Sequence, residues 1–221
     1  MPLYKTIQID EKTKILVWEI TESYEQLRNE VELNEKHAIR LNGMKSELHQ
    51  RGFLSVRKLL QEVGYTDFDL FYDEFGKPHL NPNNRHTEPV EVSITHSYTF
   101  SAIILSDQNI GIDMEMQREK IIRIADKFVD CEFEFLSRSL GKENKEDYIQ
   151  RLTVIWGVKE AIFKIRNEQG ISFKDHIKVN SFEMVDKTGI ATLYFEGLIH
   201  SFKFHFEEME DFMLVYAFEN N

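Results

Sequence analysis

Three carboxylates and a lysine, carried on two short segments, have the types and spacing for metal-assisted phosphate chemistry. Asp113 and Glu115 lie in Gly111-Ile112-Asp113-Met114-Glu115, and Glu160 and Lys164 lie in Trp156-Gly157-Val158-Lys159-Glu160-Ala161-Ile162-Phe163-Lys164. If Ile110 to Met116 is a strand, its period of two puts Asp113 and Glu115 on one face and the isoleucines and methionines on the other. On a helix, Glu160 and Lys164 are neighbours one turn apart. Mg²⁺ prefers oxygen ligands and usually combines a few carboxylates with water and phosphate oxygens, so this sparse acidic set suits a phosphate-bearing ligand with Lys164 beside it. Each feature taken singly has a plainer reading. Alternating acids occur on exposed strand edges, and Lys159-Glu160 and Glu160/Lys164 read as solvated helix pairs worth roughly a few tenths of a kcal/mol.

The positioning elements are read from periodicity and turn chemistry. Lys14 to Ile20 alternates around Ile15, Val17 and Trp18 as a strand, and Ser23 can cap a helix starting near Glu25. From Lys45 to Val63, Leu48, Phe53, Leu54, Val56, Leu59 and Leu60 recur at helical steps, broken only by Gly52. Gly76-Lys77-Pro78 and Asn81-Pro82-Asn83-Asn84 are turns, and Val90 to Thr95 and Phe100 to Ser106 read as paired strands around His96-Ser97-Tyr98. Ile121, Ile122, Ala125 and Phe128 mark an amphipathic helix. Glu132 to Leu140 predicts a shorter one, Gly141 to Asp147 a polar loop, and Tyr148 to Asn167 a long helix ended by Gly170. Ile177 to Met184, Ala191 to Phe195, Ser201 to Phe206 and Phe212 to Phe218 alternate with turns at Gly189, Gly197 and Glu207 to Asp211, which describes an antiparallel meander. The expected class is α+β, in two similar halves of a small antiparallel sheet with packed helices. The cut falls near Asp107 to Asn109, giving an N-terminal half, 1–108, and a C-terminal half, 109–221, that carries the acidic motifs.

With 221 residues, 42% of them hydrophobic, the chain can bury a substantial core. No apolar run spans a bilayer and Met1 to Lys14 lacks a secretion-signal pattern, so a cytoplasmic protein with no membrane partner is expected. The single cysteine, Cys131, has no partner for a disulfide or a zinc motif and is assigned to packing. Net charge is −11, with 12 basic against 17 acidic residues up to position 108 and 15 against 21 beyond it. Neither half is a basic module, which argues against nucleic acid as a partner.

Taken in order, Gly76-Lys77-Pro78, Ile94-Thr95-His96-Ser97, Gly111 to Glu115 and Trp156 to Lys164 resemble the 4′-phosphopantetheinyl transferases, in their larger, surfactin-synthetase-type branch. The resemblance spans at least residues 76 to 164, and the upstream helix with Arg51, Phe53, Leu54, Arg57 and Leu59-Leu60 also resembles that branch. It implies a monomer of two pseudo-symmetric halves with coenzyme A at their junction. Phosphopantetheine would be moved onto a serine of an acyl or peptidyl carrier protein with Mg²⁺ as cofactor. By the same resemblance Asp113, Glu115 and Glu160 are metal ligands, with Glu160 able instead to accept the serine proton, and Lys164 and His96 contact coenzyme A phosphates. Thr95 would donate to the nucleotide, Lys77 would sit near phosphate, and Arg51 would reach the 3′-phosphate. Two positions depart from the family pattern. Thr95 stands where serine is commoner, and Gly157 stands where a small side chain is usual, at a cost of about 1 kcal/mol relative to alanine inside a helix that aims Glu160. Arg118, Lys120, Arg123 and Lys127 form a basic stretch that fits an acidic carrier as well as it fits a solvated helix face. The alternatives are a non-catalytic module of the same fold that binds coenzyme A or a carrier, and a metal-dependent phosphohydrolase. The second leaves Lys77, His96 and Lys164 without a role.

Overall fold

The computed structural model describes residues 3–139 and 145–220, and the chain divides into two compact units, Met1–Gln108 and Asn109–Asn221. In the first, strands β1 (Leu3–Gln8), β2 (Lys14–Glu19), β5 (Glu91–Ser97) and β6 (Phe100–Ser106) form an antiparallel sheet of order β1-β2-β6-β5, beside a two-stranded ribbon of β3 (Leu70–Tyr72) and β4 (Pro78–Leu80). Helices α1 (Tyr24–Glu30), α2 (Glu35–Asn42) and α3 (Glu47–Glu62) accompany it, each with a polar N-cap: Ser23 in a reciprocal capping box with Gln26, then Asn34, then Ser46. The apolar stripe of α3, including Phe53, Leu54, Leu59 and Leu60, packs with Leu16 and Trp18 of β2 and Ile103 and Leu105 of β6. One buried carboxylate ties the helices together. Asp67 accepts from Arg57 Nε at 2.8 Å, lies 2.7 Å from His37 Nδ1, and takes the Asn34 backbone N–H at 2.8 Å.

The second unit is a five-stranded antiparallel sheet of order β7-β11-β10-β9-β8, built from β7 (Ile110–Met116), β8 (Ile177–Val179), β9 (Thr188–Phe195), β10 (Leu198–Met209) and β11 (Phe212–Glu219). The last four form a meander, and β7 joins it by pairing with β11, Asp113 opposite Val215 and Glu115 opposite Met213. Helix α4 (Lys120–Ile124), α5 (Glu132–Ser139) and the long α6 (Lys145–Arg166) complete the unit. Leu152, Val154, Ile155, Val158, Ala161, Ile162 and Ile165 of α6 are all buried, so this helix is apolar around most of its circumference. The α+β class with two sheet-and-helix halves is therefore observed.

Several elements differ from the sequence expectation. The isoleucine-rich segment makes only a five-residue helix and a 3₁₀ turn: no side chain caps its start, and the Phe128 N–H closes a tighter turn onto the Ala125 carbonyl. Residues 145–147 open α6 where a loop was expected, whereas positions 140–144 lie outside the described residues. Helix α6 stops at Arg166 with Asn167 left-handed at φ +49°, ahead of Gly170. Gly189 is not a turn. It lies within β9 opposite Phe204, whose ring would be 2.4 Å from a Cβ there. Cys131 is exposed rather than packed, since the adjacent Glu132 takes the inward direction. Helix α2 and the β3/β4 ribbon were not anticipated, being short and carrying few buried apolar residues.

Two glycines set the height of α6 over the sheet. A Cβ on Gly111 would stand 2.0 Å from the Ala161 carbonyl oxygen, and one on Gly157 would stand 2.6 Å from Val215 Cγ2. Backbone therefore meets strand with nothing between. Gly111→Ala should lower stability by about 3 kcal/mol in urea denaturation, because main chain cannot yield as a flexible side chain can. Gly43→Ala, where the nearest neighbours lie at 3.5 and 3.6 Å, should shift it by less than about 1 kcal/mol. Equal stabilities for the two variants would rule out the close approach at Gly111.

Candidate active site

Strand β7 supplies the first two acids by its period of two. Ile112 and Met114, both buried, point to the sheet face away from α6, and Gly111, Asp113 and Glu115 share the face against which α6 lies. Asp113 is 4% exposed, so it is no ordinary strand-edge acid. Helix α6 brings Lys164 onto it: Lys164 Nζ donates to Asp113 Oδ1 at 2.8 Å and to the Ile112 carbonyl at 2.9 Å. Gly157 lies above the same carboxylate, an added Cβ being 3.8 Å from Asp113 Oδ2. Its role is close approach to β11, a packing gain set against the propensity cost expected of a glycine in this helix.

Glu160, half-buried between these groups, has its carboxyl pushed up to about 7, first by burial and next by the Asp113 carboxylate, with Glu115 adding and Lys164 opposing. Asp113, Glu115, Glu160 and Lys164 thus form one electrostatic group. Three carboxylates against one ammonium leave an excess of two negative charges once Glu160 ionises, an all-oxygen donor set that fits a hard divalent cation. As they stand, no three His, Cys, Asp or Glu side chains among the described residues are grouped closely enough to hold an ion, and Lys164 supplies the local positive charge.

The remaining sequence-predicted residues lie in the first unit. Thr95 and His96 follow one another on β5, Thr95 buried and His96 exposed. Gly52 of α3 makes room for the His96 ring, since a Cβ there would stand 3.0 Å from its Cγ and Nδ1, and the His49 ring lies 6.2 Å away between centroids. Lys77 opens toward Glu91 at 3.7 Å across the ribbon and β5. Arg51 Nη2 donates to the Ile20 carbonyl at 2.7 Å, while its buried Nε has no hydrogen-bond partner among the described residues. Arg51 is thus partly committed to the scaffold. A cavity of about 660 Å³ in this unit, lined in part by Lys12, Lys14, Arg85 and His86, contains none of the predicted residues.

One residue beside the site was misread from sequence. Lys159, taken for half of a solvated pair, is fully buried against Glu132 at 2.8 Å, and burial pulls its ammonium below the usual lysine range while Glu132 opposes that. The signal available was the apolar character of α6 on nearly every side. A charge on such a helix is enclosed wherever it falls. Trp156 and Phe163 are packing residues, both contacting Phe173, with Trp156 also edge-on to Phe128 at 5.1 Å.

Residues 109–217 match the 4′-phosphopantetheinyl transferase superfamily, a match that covers the second unit and implies phosphopantetheinyl transfer in general. No curated protein matches the chain. No helix of the described residues is long and apolar enough to cross a membrane.

The raised Glu160 carboxyl makes stability depend on pH with a definite sign. Between its ordinary value of 4.5 and about 7, the folded chain holds a proton that the unfolded chain has released. This contribution is full below the lower value and is lost as pH rises through the upper one. In the absence of divalent ions, wild type should lose stability relative to Glu160→Gln across that window, as read by denaturant midpoints at matched pH. A constant difference would show that the Glu160 carboxyl is not raised in the folded chain.

Proposed function

We propose that the chain transfers 4′-phosphopantetheine from coenzyme A to a serine hydroxyl of an apo acyl or peptidyl carrier protein, releasing 3′,5′-ADP. The carrying observation is that α6 places Glu160 and Lys164 over Asp113 and Glu115 of β7, inside the segment that matches the transferase superfamily. The two-unit organisation and the Gly76-Lys77-Pro78 and Thr95-His96 motifs, which lie outside that segment, favour the larger surfactin-synthetase-type branch acting as a cytoplasmic monomer.

Asp113, Glu115 and Glu160 would hold Mg²⁺, which supplies charge compensation for a diphosphate and polarises the phosphoryl group under attack. In the transfer, the serine oxygen forms a bond to the β-phosphorus as the bond to the bridging oxygen breaks, and 3′,5′-ADP leaves with that oxygen. Glu160, whose carboxyl is pushed up to about 7 by burial and by Asp113, would either complete the Mg²⁺-holding set or take the serine proton. Lys164, already anchored on the Ile112 carbonyl, offers an ammonium to the charge that grows on the departing nucleotide. His96, Thr95 and Lys77 are assigned to the phosphates and nucleotide of coenzyme A, and Arg51 to the 3′-phosphate.

Arg118 and Lys120 line a shallow cavity of about 170 Å³ that also includes Glu115, Ile121 and Ile124. Isoleucines edged by basic side chains beside the acidic group suit a helix of an acidic carrier, and the net charge of −11 makes such local attraction necessary.

Incubation with Mg²⁺, coenzyme A and a panel of apo-carriers should add the phosphopantetheine mass to at least one of them. No increment on any carrier would favour the binding-module reading. Glu160→Gln should reduce transfer at least about 10²-fold with a melting temperature no lower than that of wild type, and normal turnover by it would refute the role assigned to Glu160. Arg123→Glu should raise KM for the carrier about tenfold and leave KM for coenzyme A unchanged; equal effects on both would remove α4 from carrier binding.

A further inference from the structure

We propose that Lys159 and Glu132 form a buried clasp that sets the rotation of α6 about its axis and thereby aims Glu160. The pair are positioning residues for the transfer reaction, an inference that rests on the proposed function.

The need for such a device follows from the helix itself. Buried apolar residues surround most of α6, so beyond the seat of Gly157 against Val215, turning the helix by one residue exchanges one apolar contact for another, and packing holds its rotation mainly at that one point. Polar groups discriminate strongly. Lys159 Nζ has three hydrogens and meets three oxygens: the Phe128 carbonyl at 2.6 Å, the Phe173 carbonyl at 3.0 Å and Glu132 Oε1 at 2.8 Å. Glu132 is satisfied in turn, its Oε1 accepting the Val179 N–H at 2.9 Å and its Oε2 the Asp130 N–H at 3.0 Å. Both side chains have 0% exposure. Any other rotation would leave an ammonium and a carboxylate unpaired in an apolar interior.

The clasp reaches four segments at once: the turn after α4, the start of α5, the loop after α6 and strand β8. Its attachment to the helix is the residue adjacent to Glu160. Lys164 grips the opposite flank through Asp113 and the Ile112 carbonyl, about 140° around the axis from Lys159 at roughly 100° per residue. Glu160 stands between the two fixed lysines.

Lys159→Met alone would strand the Glu132 carboxylate and is expected to unfold, so the informative variant is Lys159→Met/Glu132→Met, which removes both charges and keeps apolar bulk. It should fold, and lose about 10- to 100-fold in kcat while KM for coenzyme A stays within about twofold, because misplacement costs the chemical step and not binding. A folded double variant with wild-type kcat, or one impaired in KM alone, would overturn the proposal. Should the double variant not fold, Glu132→Asp keeps both charges and shortens the reach; a kcat loss at constant KM supports the clasp, and wild-type kcat overturns it. If wild type modifies no carrier, the transferase reading fails separately. The clasp is then judged by amide hydrogen exchange at residues 157–164 in whichever of these variants folds. Exchange about tenfold faster than in wild type supports it and unchanged protection overturns it.

Discussion

The second unit depends on how closely one helix lies on one strand pair. At Gly111 the Ala161 carbonyl occupies the space of a side chain, and at Gly157 the Val215 methyl does the same from the sheet. These two contacts are reciprocal. One strand glycine admits the helix backbone, and one helix glycine admits a strand side chain. With the separation fixed at both points, Asp113 on the strand and Glu160 and Lys164 on the helix have little freedom in how far apart they stand. Carboxylates that repel one another are held together by packing that would be formed without them, as expected where a site is strained electrostatically and the scaffold is not.

Each unit also contains a buried cation that engages backbone as well as a carboxylate. In the first, Arg57 donates to Asp67 and to the Phe53 carbonyl while its guanidinium lies 3.4 Å from the centre of the Phe53 ring. In the second, Lys159 serves Glu132 and two carbonyls. Such pairs contribute modestly to net stability because desolvation offsets attraction, but an arrangement that fails to satisfy them is heavily penalised. Their effect is on which packing is adopted.

The acidic strand was legible because alternation of two acids with three apolar residues has one economical reading, and β7 runs from Ile110 to Met116 as expected. The meander was legible from its alternation, but Gly189 was mistaken for a turn because a glycine facing an aromatic ring looks the same in one dimension as a glycine at a bend. Helix α4 was overestimated since periodicity of 3.6 and a 3₁₀ turn, here closed by the Phe128 N–H on the Ala125 carbonyl, look alike over one turn of sequence. For the candidate site, spacing paired Asp113 with Glu115 and Glu160 with Lys164, and the family resemblance joined the two pairs, whereas the reasons for Gly111 and Gly157 were not legible. A close backbone approach is a property of two segments, and either segment alone presents only a glycine. Lys159 was hidden by its neighbour, as a Lys-Glu dipeptide on a helix reads as solvent-facing until the apolar surroundings are counted.

The order of strands carries a consequence for how the chain acquires its chemistry during synthesis. Strand β7 opens the second unit, yet among the described residues its one neighbour in the sheet is β11, so Asp113 meets Val215 across a separation of roughly a hundred residues. Until β11 has left the ribosome, the acidic strand has no partner and α6 has no complete floor to lie on. The nascent protein can thus finish its first unit while its acids remain scattered, and the carboxylates come together as one of the last events of folding.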